Sequence, residues 1–346
     1  MRILVTGHHG YIGSVTAPTL AAAGHEVIGL DAFYYEGCDL LPEPVPVPAE
    51  RMDVRAVDAS TLDGFDAVVH LAALSNDPLG DLDPALTRDI NLHGTVRLAR
   101  EAKRAGVGRF VLASSCSMYG AAGASAVDES APLQPLTAYA ESKVLAEQAL
   151  RDLADDDFSP TFMRNATAYG LSPRIRLDVV LNNLVAWAHT TGKVMILSDG
   201  TPWRPIVHVE DIARATLAVL EAPRERVHAE AFNVGADAEN YQVRELAAIV
   251  EERVAECTVE YAGSGDPDPR SYRVDFAKLA SVFGELRLEW DARRGVDELA
   301  TSFERAGLTF ETFTGSRFVR LRRLQELRAE GRLDESLRWA EAVQAQ

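Results

Sequence analysis

A tyrosine and a lysine four residues apart could act together in proton transfer. Tyr139 and Lys143 lie in the stretch YAESK, and on a helix this spacing puts both side chains on one face. A lysine ammonium beside a phenol favours the phenolate and lowers the tyrosine pKa from about 10 toward neutral pH, so the tyrosine can act as a general base. Ser115 follows the apolar run RFVLAS and could donate a hydrogen bond to the same substrate oxygen. Alone, the spacing could be an accident on a surface helix, so its meaning depends on the surrounding elements.

The first of these elements is a glycine-rich turn, GHHGYIGS, between a predicted strand and a predicted helix. Residues 2–6 are apolar and β-branched, residues 14–24 have helical spacing, and a second strand over residues 25–31 ends in Asp31. Strand, glycine turn, helix, strand and acid form the pattern of a dinucleotide-binding unit. The glycines let the backbone approach a pyrophosphate, and the start of the helix supplies N–H donors. Asp31 would accept hydrogen bonds from both hydroxyls of the adenosine ribose.

The same region predicts NAD as the cofactor and no metal. Asp31 would repel a 2′-phosphate, and residues 32–35 offer no basic side chain to bind one. His8 and His9 are adjacent on a tight turn and point apart, and no nearby cysteine or further histidine completes a ligand set. We therefore interpret both histidines as loop residues beside the phosphates.

Alternating strands and helices continue along the chain and predict an α/β fold. The pattern is that of a Rossmann-type, doubly wound parallel sheet that binds ligands at the carboxyl ends of its strands. The further strands are expected at 66–73, 109–115 and 160–164, and the helices at 84–105, 136–154, 177–192 and 242–256.

The domain organisation predicted from this pattern has two parts. Residues 1–170 form the dinucleotide-binding domain, to which residues 205–235 return, and residues 171–204 and 236–346 form a smaller substrate-binding domain. Its last part, residues 315–343, reads as a helical tail rich in arginine. Those arginines could form a binding patch, but acidic residues interleave with them and favour a solvated helix face.

Composition restricts the class of partner and the compartment. The 346 residues carry 35 basic and 52 acidic side chains, a net charge of −17, which opposes binding to nucleic acid and to anionic membranes. No apolar run approaches the roughly 20 residues of a membrane span, and no signal peptide is recognisable. Three scattered cysteines, Cys38, Cys116 and Cys257, suit reduced thiols. We expect a cytoplasmic protein, assembled as a homodimer.

A series of motifs in a fixed order resembles those of the extended short-chain dehydrogenase/reductases, in the group of nucleotide-sugar epimerases and dehydratases. The motifs span residues 1 to about 215, and NVG at Asn233 and DPRSYRVDFAKL at Asp268 continue the resemblance. They are TGHHGYIGS, Asp31, DVRAVD from Asp53, HLAALS from His70, NLHGT from Asn91, SSCSMYG from Ser114, YAESK and RPIVHVEDIA from Arg204.

The resemblance implies a role for each matching residue. Ser115, Tyr139 and Lys143 would be catalytic, and Lys143 would also touch the nicotinamide ribose. The residues expected to hold NAD are Gly7, Gly10, Tyr11, Ile12 and Gly13 at the pyrophosphate, Asp31 at the ribose, Asp53 and Val54 at the adenine, and Leu71, Ala72 and Ala73 along the groove, together with Tyr139 and Lys143. A nucleoside-diphosphate sugar would contact Asn183, Arg204 and Arg270 at its diphosphate, with Ser75, Ser115, Tyr139 and Thr167 nearer the sugar. Arg270 could equally be a surface ion-pair residue.

Departures from the family pattern narrow the reaction. Sugar 4,6-dehydratases carry an Asp-Glu pair directly after the catalytic hydroxyl, and the decarboxylases usually carry a glutamate at the second of these positions. Here Cys116 and Ser117 occupy them, which disfavours elimination and decarboxylation. Because no histidine lies nearby to activate the Cys116 thiol, we interpret Cys116 as a packing residue. Thr167 replaces an asparagine that contacts the sugar or its phosphates in the family.

The favoured hypothesis is an NAD-dependent epimerase that acts through a transient keto sugar, with C4 as the favoured carbon. The alternative is a keto-sugar reductase that uses the same three residues once and releases oxidised cofactor. A 4,6-dehydratase, a decarboxylase and a non-catalytic NAD sensor rank lower, and a sensor would need none of Ser115, Tyr139 and Lys143.

Overall fold

A computed structural model describes residues 1–41, 47–75, 83–123, 125–262 and 270–340. Two residues of the DPRSYRVDFAKL motif and the end of the predicted helical tail lie outside these ranges. No helix in the described part of the chain combines the length and the apolar character that a bilayer crossing requires.

The strands and helices alternate as the sequence predicts. The strands are β1 (Arg2–Thr6), β2 (Glu26–Asp31), β3 (Ala49–Arg51), β4 (Ala67–His70), β5 (Arg109–Ser115), β6 (Ala126–Val127), β7 (Ser159–Asn165), β8 (Thr167–Tyr169), β9 (Lys193–Ile196), β10 (Trp203–His208), β11 (Ala231–Val234), β12 (Asn240–Gln242), β13 (Thr258–Tyr261) and β14 (Arg273–Val274). The helices are α1 (Gly13–Ala22), α2 (Pro84–Arg88), α3 (Thr95–Arg104), α4 (Ala138–Leu153), α5 (Val180–Thr191), α6 (Val209–Glu221), α7 (Arg224–Val227), α8 (Val243–Arg253), α9 (Ala277–Val282), α10 (Ala292–Ala306), α11 (Phe310–Thr314) and α12 (Arg320–Ala329).

A parallel sheet of seven strands, counted over the described ranges, runs in the order β11-β7-β5-β4-β1-β2-β3. The chain builds outward from β1 to β3 and then restarts at β4 on the other side of β1. At such a reversal the carboxyl ends of neighbouring strands open a crevice that binds ligands. The predicted fold class, a Rossmann-type doubly wound sheet, is confirmed.

Alternating side chains of β1 explain how the sheet is covered. Ile3 and Val5 are buried on one face with residues of α1 and α6, whereas Leu4 is buried on the other face with residues of α3 and α4. Successive side chains of a strand point to opposite faces, so an almost wholly apolar strand needs a helical layer on each side. This arrangement leaves only the strand ends accessible to a ligand.

A second hydrophobic core lies beyond the carboxyl ends of the large sheet. It joins α5, α8 and α10, whose buried members include Leu181, Leu246 and Phe303. The sheet β12-β10-β8 borders this core, with β8 leaving β7 after a single residue, Ala166. The two cores therefore meet where β7 passes into β8.

The helix predicted over residues 84–105 contains a wide turn. Residues Asp89–Gly94 form a π-helical segment between α2 and α3. Within it the buried Asn91 accepts a hydrogen bond from the Leu74 N–H at 2.8 Å and donates one to the Leu74 carbonyl at 3.0 Å. Such wide turns often mark functional sites, and here one fixes the chain that follows β4.

The prediction of a helical tail over residues 315–343 was wrong in its extent. Helix α12 ends at Ala329, Gly331 follows with φ of 68°, and the chain folds back so that Leu333 and Trp339 pair as an antiparallel bridge. Both side chains of this bridge are buried against the rest of the protein. A glycine in the left-handed region ends a helix readily, and burial of these apolar residues favours the fold-back.

Candidate active site

The residues that the sequence singles out line one cavity of about 890 Å³ at the carboxyl ends of the large sheet. The structure brings together residues from β1 and its following turn, β2, β4, β5, α4, β8, α5 and β10. They are Gly7, Gly10, Tyr11, Ile12, Gly13, Asp31, Asp53, Val54, Leu71, Ala72, Ala73, Ser75, Ser115, Tyr139, Lys143, Thr167, Asn183, Arg204 and Arg270.

Helix α4 carries the tyrosine and lysine into the cavity. The Thr137 hydroxyl caps the helix by accepting a hydrogen bond from the Ala140 N–H at 3.2 Å, which fixes the start of the helix one residue before Tyr139. The Lys143 Nζ lies 5.8 Å from the centre of the Tyr139 ring and donates to the Ala113 carbonyl at 2.7 Å. Burial lowers the pKa of Lys143 to about 8, against an opposing effect of Glu147. The ammonium is therefore held close to the phenol, with a pKa near the working range of an enzyme.

Ser115 ends β5 at the same wall of the cavity. Its hydroxyl donates to the Ser117 hydroxyl at 2.9 Å and accepts from the Ser117 N–H at 3.2 Å. Between them, Cys116 is fully buried and its thiol contacts the Arg164 carbonyl at 3.0 Å. Burial raises the pKa of the Cys116 thiol well above its ordinary value. A buried, protonated thiol is unreactive, so Ser115 and Ser117 are the groups that this turn offers to a substrate.

The turn after β1 is shaped for close approach of an anion. A Cβ on Gly13 would lie 2.1 Å from the Gly7 carbonyl oxygen, and one on Gly7, whose φ is 73°, would lie 2.6 Å from the Ala72 nitrogen. Only glycine fits these two positions. The Tyr11 phenol is buried and donates to the Gly170 carbonyl at 2.8 Å, so it anchors the turn to the second core. Helix α1 starts in this turn and supplies N–H donors to the cavity.

Two carboxylates stand at the other end of the cradle. Asp31 accepts from the His9 N–H at 3.1 Å and from the Phe33 N–H at 2.7 Å, and burial raises the pKa of its carboxyl group. For Asp53, burial acts to raise the pKa, but hydrogen bonds and charge from Arg55 outweigh it and hold the pKa below its ordinary value. Each Asp31 oxygen accepts one of these bonds and can accept another from a ribose hydroxyl, whereas the Asp53 oxygens already accept four bonds from Arg55. The glycine cradle and these carboxylates fit a dinucleotide.

A basic region occupies the part of the cavity bordered by the second core. Arg204 on β10 is buried and donates to the carbonyls of Trp203, at 2.8 Å, and of Arg270. Asn183 donates to the Leu177 carbonyl at 2.7 Å. Thr167 lies on β8 at the same wall. This arrangement of guanidinium and amide groups is suited to an anionic ligand.

Two further residues that the sequence motifs did not indicate, Arg176 and Asp178, also line the cavity. Arg176 donates to the Ser75 carbonyl at 3.0 Å and to its hydroxyl at 3.2 Å, and it pairs with Asp178 at 2.7 Å. Burial acts to lower the pKa of Arg176, but the charge of Asp178 raises it overall. The signal in the sequence was the arginine-rich stretch SPRIRLD, residues 172–178, which follows β8 closely. The contact between Arg176 and Ser75 could not be predicted from it, because the two residues are far apart along the chain.

The sequence pattern predicted a solvated face for the arginines of the C-terminal tail, and this is wrong for one of them. Arg320 lines the cavity, whereas Arg322 and Arg328 on the same helix are exposed. Arg320 precedes the buried Leu324 and Leu327 by four and seven positions, so all three lie on the face of α12 that packs inward. That spacing was the signal in the sequence.

His8 and His9 occupy different surroundings. The His8 ring packs edge-on against Phe33, with ring centres 5.4 Å apart. His9 lines the cavity and contacts Arg174, and burial together with that charge lowers the pKa of His9 to about 3. Within the described ranges no group of three or more histidine, cysteine, aspartate or glutamate side chains could hold a metal ion.

Comparisons with known proteins agree with this geometry. Residues 3–235 match the model of the NAD dependent epimerase/dehydratase family. A UDP-glucose 4-epimerase of Bacillus subtilis (strain 168) is 31% identical over 325 residues, covering 86% of this chain and 94% of that protein. The solved structure of MoeE5 in complex with UDP-glucose and NAD is similar with a TM-score of 0.76 at 28% identity, covering 89% of this chain and 100% of the other.

A dehydratase is similar to the same degree. The structure of DesIV, a dTDP-glucose 4,6-dehydratase from Streptomyces venezuelae with NAD bound, has a TM-score of 0.76 at 26% identity over 90% of this chain. Epimerases and dehydratases thus share this architecture, and overall similarity alone does not choose between them. The match over residues 3–235, with the glycine cradle and the cavity it borders, shows that the chain belongs to the NAD-dependent epimerase/dehydratase family of extended short-chain dehydrogenase/reductases and is an enzyme whose cofactor is NAD.

Proposed function

We propose that this enzyme inverts a ring hydroxyl, at C4, of a nucleoside-diphosphate sugar through a transient keto sugar. The observation that carries the proposal is the content of the cavity. Ser115, Tyr139 and Lys143 face the same space as Arg204 and Arg270, and no uncommitted acid accompanies them among the described lining residues. This combination provides proton transfer and a grip on a diphosphate.

The chain's own residues perform the proton chemistry. Tyr139 takes the proton of the sugar hydroxyl, and the Lys143 ammonium stabilises the phenolate. Ser115 donates a hydrogen bond to the same oxygen while its carbon is a ketone. When bound, NAD supplies a hydride acceptor and then the hydride donor. After the keto sugar has turned over in the cavity, Tyr139 returns the proton and the hydroxyl has the opposite configuration.

The acids that line the cavity support epimerisation over elimination. Asp31, Asp53 and Asp178 are the acidic side chains of the described lining, and each is already engaged. Asp31 accepts two backbone N–H groups, Asp53 is bound by Arg55, and Asp178 is paired with Arg176. A 4,6-dehydratase needs an acid and a base beside the catalytic hydroxyl to expel an oxygen from C6. Cys116 and Ser117 provide neither.

The nucleotide and sugar would lie between the two cores. We assign the diphosphate to Asn183, Arg204 and Arg270, because guanidinium groups bind phosphate oxygens in two-point contacts. Ser75 and Thr167 then lie nearer the sugar. The relatives support this class of substrate, since the similar Bacillus protein is a UDP-glucose 4-epimerase and MoeE5 was solved with UDP-glucose.

The roles of the NAD-binding residues are also part of the proposal. The turn residues hold the pyrophosphate through backbone N–H groups, and Asp31 accepts hydrogen bonds from the adenosine ribose. Asp53 and Val54 flank the adenine, and Leu71 to Ala73 form the floor of the groove. The assigned turn residues are Gly7, Gly10, Tyr11, Ile12 and Gly13, all of which border the cavity.

We further propose the domain division, the location and the assembly expected from the sequence. Residues 1–170 with 205–235 form the NAD-binding domain, which the membership of β11 in the large sheet supports. Residues 171–204 and 236–346 form the sugar-nucleotide domain. The free, buried Cys38, Cys116 and Cys257 suit a reducing cytoplasm. Light scattering on the purified protein tests the homodimer.

A labelled substrate tests the function. We expect the protein to purify with NAD bound and to convert UDP-glucose, deuterated at C4, into its C4 epimer with the label still at C4, without net consumption of NADH. NMR of the product reports both the configuration and the label. If UDP-glucose is inert, UDP- and dTDP-hexoses labelled at C4 follow in the same assay. Stoichiometric loss of NADH absorbance with a keto sugar, and no interconversion of epimers, would reject the epimerase in favour of the reductase.

A further inference from the structure

The C-terminal residues 316–340, termed here the C-terminal wall, pack against the stretches that line the carboxylate side of the cavity, and Arg320 of this segment lines the cavity itself. Buried Leu324, Leu327 and Trp339 form one hydrophobic cluster with Leu74 and Ile90 from the chain that follows β4. Tyr34 and Tyr35, which follow Asp31, pack against the same cluster. The wall therefore covers two of the stretches that surround the adenosine end of the groove.

Polar contacts fix the wall to the stretch that follows Asp31 and to a third stretch, at Arg55. The Trp339 indole N–H donates to the Ala32 carbonyl, and the Tyr34 phenol donates to the Leu337 carbonyl at 2.5 Å. Arg55, which binds Asp53, also donates to the Ser336 carbonyl at 2.9 Å. These contacts join the C-terminal wall to residues that closely follow Asp31 or Asp53 in the sequence.

Arg320 projects from the wall into the cavity. Its guanidinium lies 4.2 Å from the centre of the Tyr35 ring and donates to the Arg174 carbonyl at 3.2 Å. Within the described residues it forms no ion pair, whereas Arg176, which lines the same cavity, is bound to a carboxylate. Burial lowers the pKa of Arg320, as expected for a cation that lacks a counter-ion in contact. An anionic ligand would supply one.

The position of Arg320 identifies that ligand. Arg320 donates to the Arg174 carbonyl, and the Arg174 guanidinium contacts His9 of the glycine turn. Because the His9 N–H donates to Asp31, these contacts place the Arg320 guanidinium near the ribose end of the cradle. Arg204, by contrast, contacts Trp203 and Arg270 on the side of the second core. A dinucleotide in the groove presents its ribose and pyrophosphate between the glycine turn and Arg320.

We propose that Arg320 binds the pyrophosphate of NAD and that the C-terminal wall retains the cofactor between turnovers. The proposal concerns cofactor binding and does not depend on which sugar reacts. Charge-assisted contacts from a guanidinium to phosphate are among the stronger hydrogen bonds in proteins. The wall slows release, because Trp339 and its neighbours hold in place the stretches that surround the adenosine half of the groove.

The first experiment compares Arg320→Met with Arg328→Met, which removes an exposed charge from the same helix. Calorimetry on protein freed of cofactor measures the Kd for NAD and for ADP-ribose. We expect Arg320→Met to raise both values by about tenfold or more, and Arg328→Met to leave both unchanged. An unchanged Kd for NAD in folded Arg320→Met overturns the assignment. So does a raised Kd for UDP with unchanged NAD, which would place Arg320 in the sugar-nucleotide site.

The second experiment tests retention with Trp339→Phe, which keeps a ring but removes the indole donor. Trp290→Phe is its matched control, because the Trp290 N–H also donates one hydrogen bond, to Glu210 at 2.9 Å, but the residue lies outside the C-terminal wall. Displacement of fluorescent NADH by excess NAD measures the release rate. We expect release to be about three- to tenfold faster in Trp339→Phe and unchanged in Trp290→Phe. This is the effect expected from the loss of one neutral hydrogen bond. Equal release from both variants and the unaltered protein would refute the retaining wall, whatever the catalytic assays show.

Discussion

The phenol of Tyr139 is the group whose removal separates proton transfer from cofactor binding. Tyr139→Phe keeps the ring in the cavity, so we expect NAD to bind with an unchanged Kd. Turnover of the labelled sugar should fall by a factor of roughly 10² or more, because the variant lacks the phenol that is placed next to Lys143 to take the hydroxyl proton. Initial rates and calorimetry on the same preparation measure the two quantities.

Near-normal turnover in Tyr139→Phe would mean that another group is the base. A parallel loss of NAD affinity would mean that the variant perturbs the groove instead. Tyr119→Phe is a suitable control, because this phenol is buried away from the cavity and donates to Asn233 at 2.7 Å. Its removal should affect stability without a comparable loss of turnover.

We expect the carboxylate of Asp31 to set the choice between NAD and NADP. Two backbone N–H groups hold its oxygens in place at the ribose end of the groove. A 2′-phosphate would meet this fixed charge, so we expect NADP to bind at least ~1–2 kcal/mol more weakly than NAD, roughly a 5- to 30-fold higher Kd. Calorimetric titrations with both cofactors measure the ratio. Equal Kd values would show that a nearby cation compensates for Asp31.

At the residue scale, local spacing predicted much of the candidate site. Tyr139 and Lys143 share a helix, and Gly7 and Gly13 share a turn, so their relation could be inferred from a few neighbouring letters. Arg176 and Arg320 could not be found in this way. Each reaches the cavity from a segment remote in sequence from the residue it contacts, Ser75 and Tyr35 respectively. Their side chains become functional candidates only once the fold brings those segments together.

At the scale of elements, a buried ion pair joins α4 to β7 and steadies the catalytic helix. Glu147, one turn after Lys143, is bound by Arg164 at 2.8 Å and by the Ser114 hydroxyl at 2.6 Å. Both charged side chains are buried, with 2% of Glu147 and 5% of Arg164 exposed. Glu147→Gln leaves the buried guanidinium without its charge partner. We expect the free energy of unfolding to fall by about 3–5 kcal/mol, measured by urea denaturation.

Glu141→Gln on the same helix is the matched control for this prediction. Glu141 pairs with Arg88 at the surface, where the two side chains are 42% and 48% exposed. An exposed pair of this kind contributes about 0–1 kcal/mol. Similar losses in the two variants would contradict the stabilising role of the buried pair.

Elements were predictable where a strong period repeats over many residues. The apolar strands and their intervening helices required a parallel sheet covered on both faces, and the structure confirms it. Two departures depended on long-range contacts. The wide turn at Asp89–Gly94 accompanies the bonds between Asn91 and Leu74, and the fold-back after α12 accompanies burial of Leu333 and Trp339. Neither partner is visible in a local window of sequence.

At the scale of the whole molecule, one cavity contains the residues that we assign to the cofactor and to the substrate. Its lining comes from the large parallel sheet on one side and from the helical second core on the other, joined where β7 continues into β8. The net charge of −17 makes the surroundings repulsive to anions, so the arginines concentrated at the cavity are needed to bind two phosphorylated ligands. The function thus depends on how the two cores meet and not on either alone.

The fold-back of the C-terminal wall also has a consequence for synthesis. The bond between Tyr34 and Leu337 joins positions 303 apart, and the one between Trp339 and Ala32 spans 307. While the ribosome is still adding the last helices, the strands and helices near the N-terminus can already pair, but the adenosine end of the groove is still open. If the C-terminal wall retains NAD as proposed, the cofactor site is completed only after residues 316–340 have emerged, and the nascent protein would fold its glycine turn first and capture the cofactor last.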